Sequence, residues 1–373
     1  MRIILRASIW LVIILMIHGC SHKSVPKLIL TSFPSGKTEA FSGLFYEGVN
    51  SDGELIFWTH SDRGPNADSF KDKNTGLIHR PFVEPSYQPR WIKFVYNPKK
   101  NKIQYKEEIG LTLPNGRAIT GLPNLPAKKN RTGDETPVTM GNIKLAFDPM
   151  GIDPEGLCKQ GDHLWMVEEY GPSILKFDQK GRLIKRYLPK GYFGKQSETL
   201  REVLPEALMR RKLNRGFEGI ACSKNKLYAG LQTPLAEDGK KTIIIEFDPE
   251  MEVVSKVLFY PMDKEADKIG DMVFKGDRLL VLEQNSEVGP ESFHKVFEVK
   301  ITNEKLLRKR LLIDLVKIGY DFADKVEGLA LTERGTLFFV NDNDFGLAGP
   351  IHKKTKKAVI DPSKKSILGH IEL

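Results

Sequence analysis

Apolar and polar positions along this chain fall into a recurring pattern. It begins with an acid, a glycine and an apolar residue: Glu155-Gly156-Leu157, Glu218-Gly219-Ile220 and Glu327-Gly328-Leu329. A turn rich in Gly, Asn and Asp follows, then an apolar run: Leu164-Trp165-Met166-Val167, Leu227-Tyr228-Ala229-Gly230 and Leu337-Phe338-Phe339-Val340. Each run leads into polar groups, Glu168-Glu169, Gln232 and Asn341-Asp342. The separation from Glu155 to Glu169, Glu218 to Gln232 and Glu327 to Asn341 is 14 residues each time. Two apolar runs around a tight turn predict a β-hairpin. Weaker copies run from Gly270-Asp271-Met272 to Glu283 and from Ser42-Gly43-Leu44 to Asp62.

Two more strand-like runs follow most hairpins: 91–96 and 103–109, 174–177 and 183–187, 242–247 and 253–259, 296–301 and 306–312. Four antiparallel strands recurring about every 55 residues predict an all-β fold, a β-propeller. Units start near 42, 155, 218, 271 and 327, so five four-stranded blades are expected, with a sixth left open in 63–150. That stretch is rich in Pro and Gly and reads better as loops over one face. Residues 27–32 and 367–373 are strand-like, and their pairing would close the ring and remove free edges. A β-sandwich would explain the hairpins but not the fixed spacing. One short helical insertion is expected over 197–213, where Leu200, Val203, Leu204, Ala207, Leu208 and Leu213 keep helical spacing around Pro205.

The N-terminus reads as an address. Arg2 and Arg6 precede an uncharged run, 7–17, too short to span a bilayer, which predicts a signal peptide over 1–19. Ile17-His18-Gly19-Cys20 resembles a bacterial lipobox, although His18 departs from its pattern. Acylated Cys20 would anchor the protein to a membrane through a linker, 20–27, leaving 28–373 as the propeller. Ser21 then suggests a bacterial outer membrane lipoprotein facing periplasm or surface. Ordinary cleavage beside a free Cys20 is the alternative.

Composition narrows the classes. With 40% apolar and 28% charged residues in 373, the chain is neither disordered nor collagen-like. The net charge of +9 raises the question of nucleic acid. Arg2 and Arg6 belong to the leader, and 353–373 holds six lysines against Asp361 and Glu372. The body, 20–352, carries only +3, so no nucleic-acid partner is expected.

Hairpin geometry gathers the acids. The start of a first strand lies beside the end of the second, so Glu155 lies near Glu168 and Glu169, Glu218 near Gln232, and Glu327 near Asn341 and Asp342. If the first strands are innermost, these groups ring one mouth of a central channel. Clustered carboxylates need protons, cations or metal. An excess of oxygen ligands suits Ca²⁺. No HExxH or paired-Cys spacing supports zinc. The candidate ligands are Asp62, Glu155, Glu218, Glu327, Asn341 and Asp342. Alternatively each Glu only hydrogen-bonds the amides of the next blade. Arg63 and Arg215 stand beside repeat acids and would clamp either an acid or a substrate anion. Cys158 and Cys222 could approach each other, but stacked sheets lie about 10 Å apart, so buried free thiols are expected.

Seven stretches taken in order resemble one family. They are Phe41-Ser42-Gly43-Leu44, Ser61-Asp62-Arg63-Gly64-Pro65, Ile119-Thr120-Gly121-Leu122-Pro123-Asn124, Asp153-Pro154-Glu155-Gly156-Leu157, Glu168-Glu169-Tyr170-Gly171-Pro172, Asn214-Arg215-Gly216-Phe217-Glu218-Gly219 and Asn341-Asp342-Asn343-Asp344-Phe345-Gly346. The set resembles the phytase-like domain family, also called "esterase-like activity of phytase", over about 28–373. The resemblance implies a secreted or lipid-anchored bacterial propeller with phosphoester or carboxylester hydrolysis. It is also similar to calcium-dependent propeller phytases, which use acid-lined channels. Gly270-Asp271 departs from the Glu-Gly pattern.

Two functions follow. In the first, a metal-assisted hydrolase acts on a small phosphorylated or ester substrate. Ca²⁺ on Glu155, Glu218 and Glu327 polarises the substrate, Arg63 and Arg215 stabilise charge, and Glu168 or Glu169 is the base. No Gly-x-Ser-x-Gly elbow supports a serine esterase. His60 reads as a rim residue rather than a base. In the second, the propeller is a non-enzymatic envelope module that binds a ligand or protein, with structural calcium.

Overall fold

Alternating apolar positions pair into strands throughout, and the chain is all-β, with no α-helix among the described residues. This computed structural model describes residues 26–34, 40–194, 196–352 and 354–373. The expected signal peptide and Cys20 lie outside the described residues.

Five sheets follow one another. Sheet I holds Phe41–Val49, Leu55–Ser61, Arg90–Asn97 and Lys102–Gly110. Sheet II holds Pro154–Gln160, His163–Glu168, Ser173–Phe177 and Leu183–Pro189, with Leu200–Leu204 added in parallel. Sheet III holds Phe217–Cys222, Leu227–Leu231, Lys241–Asp248 and Val253–Pro261. Sheet IV holds Lys268–Lys275, Arg278–Gln284, His294–Lys300 and Lys309–Asp314. Sheet V holds Val326–Leu331, Thr336–Asn341 and Ile367–Glu372, and its fourth strand is Ile29–Ser32 from the other end of the chain.

The opening strands of sheets I to V pack side by side in that order, and the opening strand of V packs against that of I. Each junction between neighbouring sheets holds its own apolar cluster. Trp91, Leu164 and Phe177 join I to II, while Trp165, Phe217 and Phe247 join II to III. Met272, Tyr260 and Phe297 join III to IV, Leu280, Val326 and Phe339 join IV to V, and Phe57, Phe94 and Phe338 join V to I. Each such buried side chain contributes roughly 1.5–3 kcal/mol.

Residues 63–150 are more ordered than loops. Phe70–Lys71, Ile78–Phe82 and Thr136–Thr139 form a three-stranded sheet. It meets the hairpin Leu347–Ile351/Ala358–Ile360 where the Asp68 amide donates to the Gly349 carbonyl at 2.9 Å. The helix expected over 197–213 is absent. Leu200–Leu204 is extended, and a 3₁₀ turn, Glu206–Arg210, follows. Pro205 drives Leu204 out of helical geometry, and the edge of sheet II supplies the backbone partners.

Cys158 and Cys222 form a disulfide, with Cα atoms 5.7 Å apart, rather than the expected free thiols. The face-to-face spacing of sheets does not apply at the inner strands. A Cβ on Gly156 would lie 2.6 Å from the Ile220 nitrogen, so glycine lets these two backbones nearly touch. The bond closes a 64-residue separation. Reduction, or Cys158→Ala with Cys222→Ala, is expected to cost roughly 2–4 kcal/mol. Thermal unfolding with and without reductant checks this, and an unchanged midpoint rejects it.

His370, on the third strand of sheet V, lies between the rings of Phe338 and Tyr96 and faces the Tyr96 hydroxyl at 3.2 Å. Burial lowers its pKa to about 4. The unfolded chain therefore takes up the proton first, near pH 6.5. Stability is full above that pH and is lost as pH falls toward 4. His370→Phe should narrow the difference in melting temperature between pH 7 and pH 5; an equal difference in both proteins would exclude His370 as the titrating group.

Candidate functional site

In sheets II, III and V the opening strand carries a β-bulge where the acid-glycine pair stands. In sheet III the pairing passes from Phe217 to Gly219 and leaves Glu218 outside the ladder. In sheet V it passes from Val326 to Gly328 and leaves out Glu327. Sheet II shifts at the same level, between Met166 and Val167, where Gly156 drops out and Glu155 stays paired. A bulge re-aims side chains, and here the acids converge at one end of the ring of opening strands.

A cavity of about 290 Å³ opens there. Sheets I and II contribute Ser42, Asp62, Arg63, Asp153, Glu155 and Glu169. Sheets III and IV contribute Asn214, Arg215, Gln232, Lys268 and Ser286. Sheet V contributes Lys325, Glu327, Asp342 and Asp344, and the segment after sheet I's second strand adds Asn66, Asp68 and Arg80. Eight carboxylates thus face five cations.

The ionisation pattern follows from that excess. Burial raises Glu155 well above the usual carboxylate range, and Glu218, Glu327, Asp153 and Asp62 push it the same way. Glu218 is raised well above it by burial and by Glu327 and Glu169. Burial also lifts Glu327, against the pull of Lys325 and Lys268. Burial lifts Asp153 far up despite Arg63, and lifts Glu169 despite Arg215, Arg63 and Arg211. Asp344 is the exception: burial would raise it, but Lys325 and Lys364 hold it low.

One group has the donor set for a cation. Carboxylate oxygens of Asp62, Asp153 and Glu155 all lie within 4.8 Å of one another. Asp153 Oδ1, Glu169 Oε1 and Glu218 Oε1 are buried and accept no hydrogen bond. Orphaned oxygens of this kind are what a hard cation satisfies.

Of the residues expected from sequence, Asp62, Arg63, Glu155, Glu169, Arg215, Glu327 and Asp342 line the cavity. Glu218 lies beside it, 1% exposed, accepting from Gln232 Nε2 at 2.5 Å. Glu168 and Asn341 face the protein instead. The Glu168 carboxylate accepts from Arg186 Nη2 at 2.6 Å, from Ser173 Oγ at 2.8 Å and from the Tyr170 amide at 2.8 Å. It has no free oxygen for water, and only Glu169 meets the cavity. Asn341 accepts from the Ile367 amide at 2.8 Å and donates to the Asp342 and Lys365 carbonyls, so it braces the returning strand. Arg63 is locked between Asp153 Oδ2 at 2.8 Å and Asn214 Oδ1 at 2.9 Å. Asp271 accepts from the Met272 amide at 2.7 Å and the Leu329 amide at 2.8 Å, the purely structural role.

Sequence reasoning missed Asp153, Lys268, Lys325 and Asp344. Asp153 and Lys325 each stand two residues before a repeat glutamate, at the strand entrance, and that offset was the available signal. Asp344 begins three successive residues with positive φ, of 50°, 56° and 69° at Asp344, Phe345 and Gly346. The strained turn is held by Asn343 Oδ1 accepting from the Phe345 amide at 3.1 Å. It aims Asp344 at Lys325 and Lys364.

The Glu168–Arg186 pair has both side chains 0% exposed. Glu168→Ala should cost roughly 3–5 kcal/mol by stranding the guanidinium, while Glu169→Ala should leave stability nearly intact. Denaturant unfolding of both variants checks this, and equal stabilities would refute the assignment of Glu168 to structure.

The chain has distant likenesses among solved structures. The PQQ-bound aldose sugar dehydrogenase of Streptomyces coelicolor aligns over 93% of this chain and 100% of its own, at 11% identity and a TM-score of 0.40. An alpha-L-arabinofuranosidase of Clostridium thermocellum aligns over 83% of each chain, at 10% identity and a TM-score of 0.39. A protein of Arthroderma benhamiae described as "Uncharacterized secreted protein" is 28% identical over 247 residues, 53% of this chain. The match spans 46% of that relative's length. Residues 37–345 match the Phytase-like family, described as "Esterase-like activity of phytase", and the chain belongs to that family.

Proposed function

We propose that this chain is an exported five-bladed β-propeller that hydrolyses phosphoesters or carboxylesters with the help of Ca²⁺. The five sheets are its blades, and the pairing of Ile29–Ser32 with Ile367–Glu372 closes the ring. Acylated Cys20 would tether it to the bacterial outer membrane. The observation that carries the catalytic reading is the convergence of Asp62, Asp153 and Glu155, with Asp153 Oδ1 unpaired, inside an open cavity.

Asp62, Asp153 and Glu155 would hold the ion, with Glu218 and Glu327 close enough to bias its charge. When bound, Ca²⁺ supplies Lewis acidity toward a phosphoryl or carbonyl oxygen. Glu169 takes the proton from the attacking water and returns it to the departing alcohol; burial raises its pKa and so strengthens it as a base. Arg215, whose side chain is 39% exposed and meets Glu169 only at 3.6 Å, would turn from that pair toward an anionic substrate. Arg63 positions Asp153 rather than the substrate.

A binding module with structural calcium is the second reading. It is favoured by the ion pairs of Arg63 with Asp153 and Lys325 with Asp342, which already offset part of the charge.

The purified protein, residues 21–373, should turn over p-nitrophenyl phosphate, phytate or a p-nitrophenyl ester in Ca²⁺ and lose activity in chelator. Asp153→Asn and Glu155→Gln should each lower turnover by about 100-fold or more and abolish the rise in melting temperature on adding Ca²⁺. In chelator, Glu155→Gln should melt at least as high as wild type, because it removes a carboxyl whose ionisation burial and Glu218 oppose. Calcium stabilisation without turnover on any substrate selects the binding module. Variants that respond to Ca²⁺ as wild type does eliminate the metal site.

A further inference from the structure

We propose that Lys268 is the residue that selects an anionic group on the ligand of this cavity, a phosphate or carboxylate oxyanion. The proposal rests on the hydrolytic reading and names the substrate feature that reading leaves open.

Lys268 opens sheet IV, lines the cavity and is only 5% exposed. Among the described residues its ammonium makes no hydrogen bond and no ion pair, although Glu218 and Glu327 are near enough to feel its charge. The other four cations of the cavity are all engaged. Arg63 meets Asp153 at 2.8 Å, Arg80 meets Glu135 at 2.8 Å, Lys325 meets Asp342 at 2.8 Å and Arg215 reaches Glu169 at 3.6 Å.

Sheet IV is built to differ. Its bulge carries Gly270 where sheets III and V carry Glu218 and Glu327. A Cβ at Gly270 would lie 2.3 Å from the Val326 carbonyl oxygen, so no carboxylate can stand there. Lys268, two residues earlier, puts a positive group into the cavity from the sheet whose bulge supplies no glutamate. Ser286 from the same sheet's next loop adds a hydroxyl at the wall. The ammonium faces the open cavity with no protein partner there. A ligand oxyanion reaching this sector completes it with charge-assisted hydrogen bonds.

The probes are inorganic phosphate and acetate, titrated by calorimetry into the purified protein with Ca²⁺ present. At least one should bind, and Lys268→Gln should weaken it about tenfold or more, with Lys268→Arg restoring most of the loss. Which of the two probes depends on Lys268 tells phosphate from carboxylate. In turnover, Lys268→Gln should raise KM for p-nitrophenyl phosphate. In the wild type, the bound probe should also protect Lys268 from amine acylation, read by peptide mass spectrometry, which needs no variant to fold. Binding of neither probe, equal affinities in wild type and Lys268→Gln, or no protection overturns the proposal. Lys268-dependent binding without any turnover sinks the hydrolytic reading and leaves the anion site standing.

Discussion

Glu155, Glu218 and Glu327 converge from sheets II, III and V on one end of the opening strands, so each ionisation raises the cost of the next. Mutual repulsion among these buried carboxylates is the constraint around which the molecule is arranged. Neighbouring sheets pull their inner strands together through five apolar clusters, and that force works directly against the charge at the mouth. A disulfide ties the two strands that carry Glu155 and Glu218. Arg63 and Lys325 are spent on neutralisation. The rest of the imbalance falls to protons, or to a bound cation.

The repeat was legible because a bulged strand entrance imposes the same local demand in every sheet. In sheets I, II, III and V a serine or glutamate precedes a glycine that lets the next backbone approach, and in II, III and V the 14-residue interval is the hairpin length. Alternation then located nearly all strands of the five sheets. Illegible features depended on distance in three dimensions. Nothing near Cys158 announces that Gly156 thins the packing enough for a disulfide. The pattern at 200–208 satisfies a helix and a strand almost equally, and only the free edge of sheet II decides between them.

The site divides along the same line. Acids inside the repeat were readable, because their spacing places them at one mouth. Glu168 and Glu169 are neighbours in sequence, and alternation sends one inward to Arg186 and the other to the cavity, but the parity could be read only once Arg186 was known to lie beneath. Arg63 and Arg215 stood inside the motifs, and the lysines were hardest to find. Lys268 belongs to the sheet whose motif is broken, so the break looked like decay rather than a change of sign.

The pairing of Ile29–Ser32 with Ile367–Glu372 also sets an order in time. The earliest described strand has no partner until nearly the whole chain has been made. Sheets II, III and IV can each form from contiguous sequence, whereas sheet V waits for the last residues. Such long-range pairing is slow to form. Until then the edge of Ile367–Glu372's sheet and the apolar wall at Phe57 and Phe338 face solvent, so the seam between first and last sheets is where assembly finishes and where an incomplete molecule is most exposed to aggregation.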